Sequence, residues 1–298
     1  MSNIVLTSEN ITSLKNSELT YKFPRSVTFD EGNQIAVSNM MLYYSWFNIS
    51  AANQNNFFQY TWWDENGDLT QVVDVFIPDG YYSVQTLNEF FISVMTQNGH
   101  YLIVEQDTSR FVYFLELLSN STYYSTEIRL SSLSGLKNMS IASHTPAPGN
   151  DLFLTPTGWS LPQKDYYEMP QLLIPANNKF GELIGFNAGT VQPSTPISTE
   201  ENVQVSILND KVPQMEPQSS FVITCNLVKN PYSNPSNVLG AFSSTNVSFG
   251  GIVSESENAI YSNIAPGTYD QVTIKIFDQN FVALNILDST MLFVLHIK

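Results

Sequence analysis

One uninterrupted block, Val72 to Gly99, carries strand, turn and helix signals together, and it constrains the possible folds more than any other stretch. Val72, Val73, Val75, Phe76 and Ile77 form an apolar, β-favouring run with a single charge, Asp74, inside it. Pro78-Asp79-Gly80 closes that strand, because Pro presets φ, Asp bonds its own backbone and Gly accepts positive φ. Ser83 is placed to cap a helix by accepting the Thr86 amide, with Tyr82 and Leu87 spaced as a hydrophobic staple. Val84, Leu87, Phe91 and Val94 recur at helical period, and Asn98-Gly99 supply the stop. The block therefore predicts a strand feeding an amphipathic helix of about four turns. Everything else reads as strands and loops, so the helix is expected to plug one open end of a β structure.

Residues 1–24 keep no sustained period and end at Phe23-Pro24, which predicts an N-terminal arm ordered only by docking. The remaining residues, 25–298, read as one β domain. Ser26–Ile35, interrupted at Asp30–Asn33, and Asn39–Trp46 are expected strands, followed by Phe57–Trp63 and a hairpin turn at Asp64–Asp68. After the helix, Tyr101–Glu105 and Phe111–Leu118 flank a second turn, and Thr126–Leu133 follows. Residues 135–200 hold much of the chain's proline, including Pro146, Pro148, Pro170 and Pro175. That predicts an ordered loop or insertion, since proline is excluded from central strands. Its aromatics, Phe153, Trp159, Tyr166 and Tyr167, argue for packing. Alternation returns at Val203–Ile207 and at Phe221, Ile223, Cys225 and Leu227. Val272–Phe277 follows, and the last strand, Met291–Ile297, is apolar on both faces and should be central. About a dozen short strands, one helix and long loops point to an antiparallel sandwich or jelly roll.

The 298 residues are 43% hydrophobic and only 13% charged, so the surface must be largely uncharged polar and inclined to cover itself with neighbours. A net charge of −15 argues against nucleic-acid binding through a broad basic face; Lys15, Lys22 and Arg25 form a local exception diluted by Glu9 and Glu18. Cys225 is the only cysteine, which rules out an intrachain disulfide and fits a reducing site of folding. The start of the chain lacks a signal-peptide pattern, and no window approaches a membrane span. Five sequons, at Asn10, Asn48, Asn120, Asn138 and Asn246, then read as chance in an Asn/Ser-rich chain.

Catalytic signals are poor. His100, His144 and His296 are far apart in sequence and outside any metal-ligand spacing, and His296 reads as a partnered core histidine. Cys225 on an apolar face reads as an inert thiol. The repeat of Gly181, Gly185 and Gly189 predicts a one-turn helix or a close backbone passage. The acids of Asp64–Asp68 could ligate Ca²⁺ but read better as a hairpin turn, and Glu255/Glu257 as a solvated loop. Trp62-Trp63 could offer a sugar platform, though adjacent strand residues face opposite ways. No catalytic, cofactor-binding or metal residue is assigned, and the chain is expected not to be an enzyme.

Five segments, in order, carry a resemblance. They are FPRSVTFDEGNQIAVSNMMLYYSWFNIS, VFIPDGYYSVQTLNEFF, FGELIGFNAGT, SSFVITCNLVKNPYSNPSNVL and VTIKIFDQNFVALNILDSTMLFVLHIK. Together they resemble the penton (minor capsid) proteins of virophages and related Polinton/Maverick elements, closest to mavirus-like members. The resemblance implies a single upright jelly roll, five copies closing each vertex of an icosahedral shell beside trimers of a double jelly-roll major capsid protein. It places the chain in the virion after synthesis in the host cytoplasm. The alternative is a β-sandwich carbohydrate-binding or adhesion module.

Overall fold

The computed structural model describes residues 2–64, 68–105, 107–132, 153–157, 168–193, 204–244, 247–255 and 259–298. The chain divides into two compact units. The first joins Met1–Phe47 to Gln218–Lys298, and the second, Asn48–Pro217, is inserted between them.

The first unit contains β1 (Ser2–Thr7), β2 (Glu18–Phe29) and β3 (Gln34–Tyr43). After the insertion come β14 (Ser220–Cys225), β15 (Val238–Ser243), β16 (Ile252–Glu255), β17 (Ser262–Asn263), β18 (Gly267–Asp278) and β19 (Met291–Ile297). They form two sheets, β1-β19-β3-β16 with β17 also on β3, and β15-β14-β18-β2. Apart from the two-residue β17, eight strands remain. The first pairs with the last, the second with the seventh, the third with the sixth and the fourth with the fifth, all antiparallel. Two further antiparallel pairings, β19 with β3 and β18 with β14, complete the sheets. An antiparallel ribbon wrapped on itself produces this order, the jelly-roll arrangement. Leu6, Met40, Leu42, Phe293 and Leu295 from one sheet, with Leu19, Phe221, Ile223, Val272, Ile274 and Ile276 from the other, are all buried. β19 is central, as its two apolar faces required, and Cys225 is buried at the end of β14.

The N-terminal boundary differs from expectation. Residues 1–24 are not set apart from the sandwich: β1 docks on β19, and β2 starts at Glu18 rather than after Pro24. Pro24 is tolerated because β2 is an edge strand and its register on β18 shifts between Tyr269 and Gln271. The turn at Asp30–Asn33 carries the chain from one sheet to the other, since β2 and β3 share no sheet.

The second unit holds β4 (Phe57–Trp62), β5 (Gln71–Phe76), α1 (Val84–Gln97), β6 (Leu102–Val104), β7 (Asp107–Val112), β8 (Leu115–Asn120) and β9 (Ser125–Ser131). It continues with β10 (Phe153–Leu154), β11 (Leu172–Ile174), α2 (Phe180–Ile184), β12 (Gly189–Val191) and β13 (Gln204–Leu208). Its sheets are β12-β11-β4-β5, β10-β6-β7 and β13-β9-β8. The helix belongs to this second core. Leu87, Phe91 and Met95 are buried, with Val84 and Val94 at the rim of the stripe. Phe91 lies 4.3 Å from Phe58, which stacks on Phe180 of α2 at 5.1 Å. Ser83 caps the helix by accepting the Thr86 amide at 3.1 Å. Tyr82, the staple residue, places its ring edge-on to Phe90.

Within the proline-rich residues 135–200, the described strands β10 to β12 build sheets with β6 and β4. Trp159, Tyr166, Tyr167, Pro146, Pro148 and His144 lie outside the described residues.

Candidate interaction surfaces

Chemistry-bearing side chains sit in structural roles. The C-terminus of α1 is a Schellman stop: Gly99, at φ +73°, donates to Thr96 O, and His100 N–H donates to Met95 O at 2.8 Å. That stop drives His100 inward. Its Nδ1 lies 2.7 Å from the Tyr60 hydroxyl, and its ring stacks on Trp62 at 4.1 Å, 12° from parallel. Burial pushes the imidazole down to about 4 and the Tyr60 phenol up to about 12; in the latter a hydrogen bond from Asn98 acts in the opposite direction. Trp62 and Trp63 are both buried, packed edge-on to Phe114, so neither offers a platform to a sugar.

His296 bonds through Nδ1 to the Tyr261 hydroxyl at 2.6 Å, and the Lys298 ammonium lies 3.5 Å over the Tyr261 ring. Burial pushes the Cys225 thiol up to about 12, far from the thiolate that a nucleophile needs. Gly185 ends α2 at φ +80°, where an added Cβ would stand 2.3 Å from Lys211 O. The one-turn helix and the close backbone passage are therefore both present. At the hairpin turn, Asp64 accepts from the Asp68 amide and the Thr70 hydroxyl, while Glu65–Gly67 lie outside the described residues, as does Glu257. Among the described residues no group of three or more His, Cys, Asp or Glu side chains could hold a metal. Also among them, no helix is long and apolar enough to cross a membrane.

Asn48 is the structural residue that sequence reading passed over. Its side-chain amide donates to Tyr82 O and to Met215 O, both at 2.7 Å, and its Oδ1 accepts from Tyr82 N–H at 2.8 Å. It is 2% exposed, so its sequon is closed to modification in the folded chain.

Apolar and uncharged surface also remains accessible among the described residues. In the first unit, an open groove of about 530 Å³ runs past Asn234, Pro235, Lys275, Phe277 and Phe281; its one cation is tied to Glu18 at 3.0 Å. Leu14, Tyr232, Ile260 and Val282 stand exposed in the same unit. In the second, β5 lies at a sheet edge with Val72 and Phe76 exposed. Formal charge is divided unevenly. The first unit has 9 acids against 6 bases, net −3, and the second 18 against 6, net −12.

No protein-family model and no curated protein matches the chain. Among solved structures, the chain is similar to the mavirus penton protein, at 13% identity and a TM-score of 0.45, covering 100% of this chain and 98% of that one. It is also similar to a chain of the Sputnik virophage structure, at 8% identity and a TM-score of 0.36, covering 100% and 97%. At such identities and scores the similarity stands as a resemblance only. Over its whole length, then, the chain resembles a virophage penton-like protein.

Proposed function

We propose that this protein is a structural minor capsid protein that forms the pentameric vertex of an icosahedral particle. The observation that carries the reading is the complete eight-strand jelly roll of the first unit, in which the chain's two terminal strands, β1 and β19, pair with each other. In that topology the connection between β3 and β14 carries the whole inserted unit. Fold alone does not fix function. The support beyond topology is the ordered set of penton-like segments, the low charge of the sandwich, and the structural employment of Cys225, His100 and His296.

In a ring of five, each copy presents two different surfaces to its neighbours, and the angle between them sets closure. The partners are further copies of the chain and a double jelly-roll major capsid protein, synthesis is in the host cytoplasm, and no step is catalytic. Sedimentation of the purified chain, alone and with major capsid protein, should give a mass of five copies, and imaged shells should show it at five-fold vertices. Monomers under both conditions, or a ring of another number, would refute the reading.

A further inference from the structure

β5 is an open sheet edge, and the residues whose backbone groups point to the open side are the ones whose side chains lie on the outer face. Ile77 N–H donates to Asn56 O, while Thr61 N–H on β4 turns away to Gln171 O. With Phe58 opposite Val75 and Tyr60 opposite Val73, the odd-numbered residues of β5 bond to β4. Val72, Asp74 and Phe76 therefore present their N–H and C=O groups to the open side, where no strand pairs with them among the described residues. Their side chains share the outer face of the sheet. Val72 is 51% and Phe76 67% exposed; Phe76 packs on Phe57 at 4.6 Å, and Asp74 accepts from Gln59 Nε2 at 2.7 Å.

Two other edges among the described residues, those of β2 and β7, are blunted. On β2, the Glu18 and Thr20 carbonyls are covered by Thr12 and Asn10, and Pro24 with the register shift breaks the remainder. β7 carries Asp107 and Arg110. β5 has no proline, glycine or bulge, only Asp74 at its centre.

That charge selects the occupant. A two-fold pairing of β5 with its own copy must keep the outer faces together, and the register of greatest overlap then sets Asp74 against Asp74 and Val72 against Phe76. Like charges directly opposite are destabilising. We propose that β5 accepts, by antiparallel strand addition, an extended segment of another protein chain with a Lys or Arg opposite Asp74 and apolar residues two positions to either side. Backbone hydrogen bonds supply the attachment, Val72 and Phe76 the apolar contacts, and Asp74 the choice of partner. The acidic character of the whole second unit favours a basic partner in the same sense. This proposal stands independently of the capsid reading.

The test is titration of the ¹⁵N-labelled full chain with two blocked heptapeptides, Thr-Phe-Thr-Lys-Thr-Val-Thr and its analogue with Glu in place of Lys. The Lys peptide should shift and protect from hydrogen exchange the amides of Val72, Asp74 and Phe76, leaving Val73 and Val75 as they were. The Glu peptide should bind about fivefold more weakly, the size of a reversed cross-strand charge pair. D74K should invert that order, with unchanged exchange at Val73 and Val75 showing that the sheet is intact. No binding of either peptide, equal binding of both, or protection of the three amides by rising protein concentration alone would overturn the proposal.

Discussion

Acid should loosen the second unit through a single buried imidazole. His100 is 7% exposed, bonded to Tyr60 and stacked on Trp62, and burial holds its titration at about 4 in place of the ordinary 6.5. As pH falls, the unfolded chain takes up this proton first. The neutral histidine therefore contributes stability that is complete above about 6.5 and is lost as pH drops toward 4. The full loss is about 3 kcal/mol, with about 2 kcal/mol gone by pH 5. Carboxylates elsewhere also titrate, so the comparison is with H100N, which has no group to protonate. The variant should be less stable at pH 7, having lost the stacked ring, and its deficit should shrink by about 2 kcal/mol at pH 5. Denaturant unfolding at the two pH values measures the difference. Trp62 and Trp63 report on this unit, and a two-unit chain calls for checking the transition with a second probe. Histidine resonances that vanish in the variant give the folded-state titration directly. A folded His100 titrating near 6.5, or a deficit that does not change with pH, would refute the reasoning.

The apolar stripe of α1 offers a harsher perturbation: Phe91→Asp should prevent folding of the second unit, because the carboxylate would be buried between Phe58 and Phe180, and a protein with native amide dispersion would refute that packing. Leu87→Ala, at a fully buried position, should cost about 3 kcal/mol in denaturant unfolding. Ser83→Ala should cost about 1 kcal/mol by loss of the cap to Thr86. Gly185→Ala should cost at least about 1 kcal/mol from its left-handed backbone, and more from the approach of Lys211 O. Cys225 should resist a thiol reagent in the native chain and react fully in denaturant; rapid native labelling would remove it from the sandwich interior.

The strand–turn–helix block was legible because each of its signals is local. Ser83, the 87/91 spacing and Asn98-Gly99 all act within a few residues, and α1 starts and stops where they place it. Met95 escaped because Val94 fits the same helical period, and which of the two is fully buried is decided by tertiary packing. Strand partners were hidden for the opposite reason. β2 and β3 adjoin in sequence yet lie in different sheets, and β1 finds β19 across nearly the whole chain. Periodicity reports which face of a strand is buried, not which strand lies beside it. Pro24 misled in the same way, since its tolerance depends on β2 being an edge strand. The candidate surface was half visible. The β-rich run at Val72 stood out, but that its even-numbered backbone groups face no strand among the described residues depends on β4 pairing with it on one side only.

The division at Phe47/Asn48 and Pro217/Gln218 left no mark of glycine or proline at its first crossing, and the structure shows why none is needed. Within the sandwich, the Trp46 indole donates to Gln218 O, and within the inserted unit, Asn48 donates to Met215 O. Each unit thus ties its own side of the crossing with a side chain. A loop insertion whose ends already meet adds little closure entropy to the host sandwich. The unequal charge follows the same division. The sandwich, at net −3, carries little charge, whereas the inserted unit, at net −12, repels its own kind. An open edge such as β5 is then protected from self-pairing by the same acidity that would recruit a basic strand.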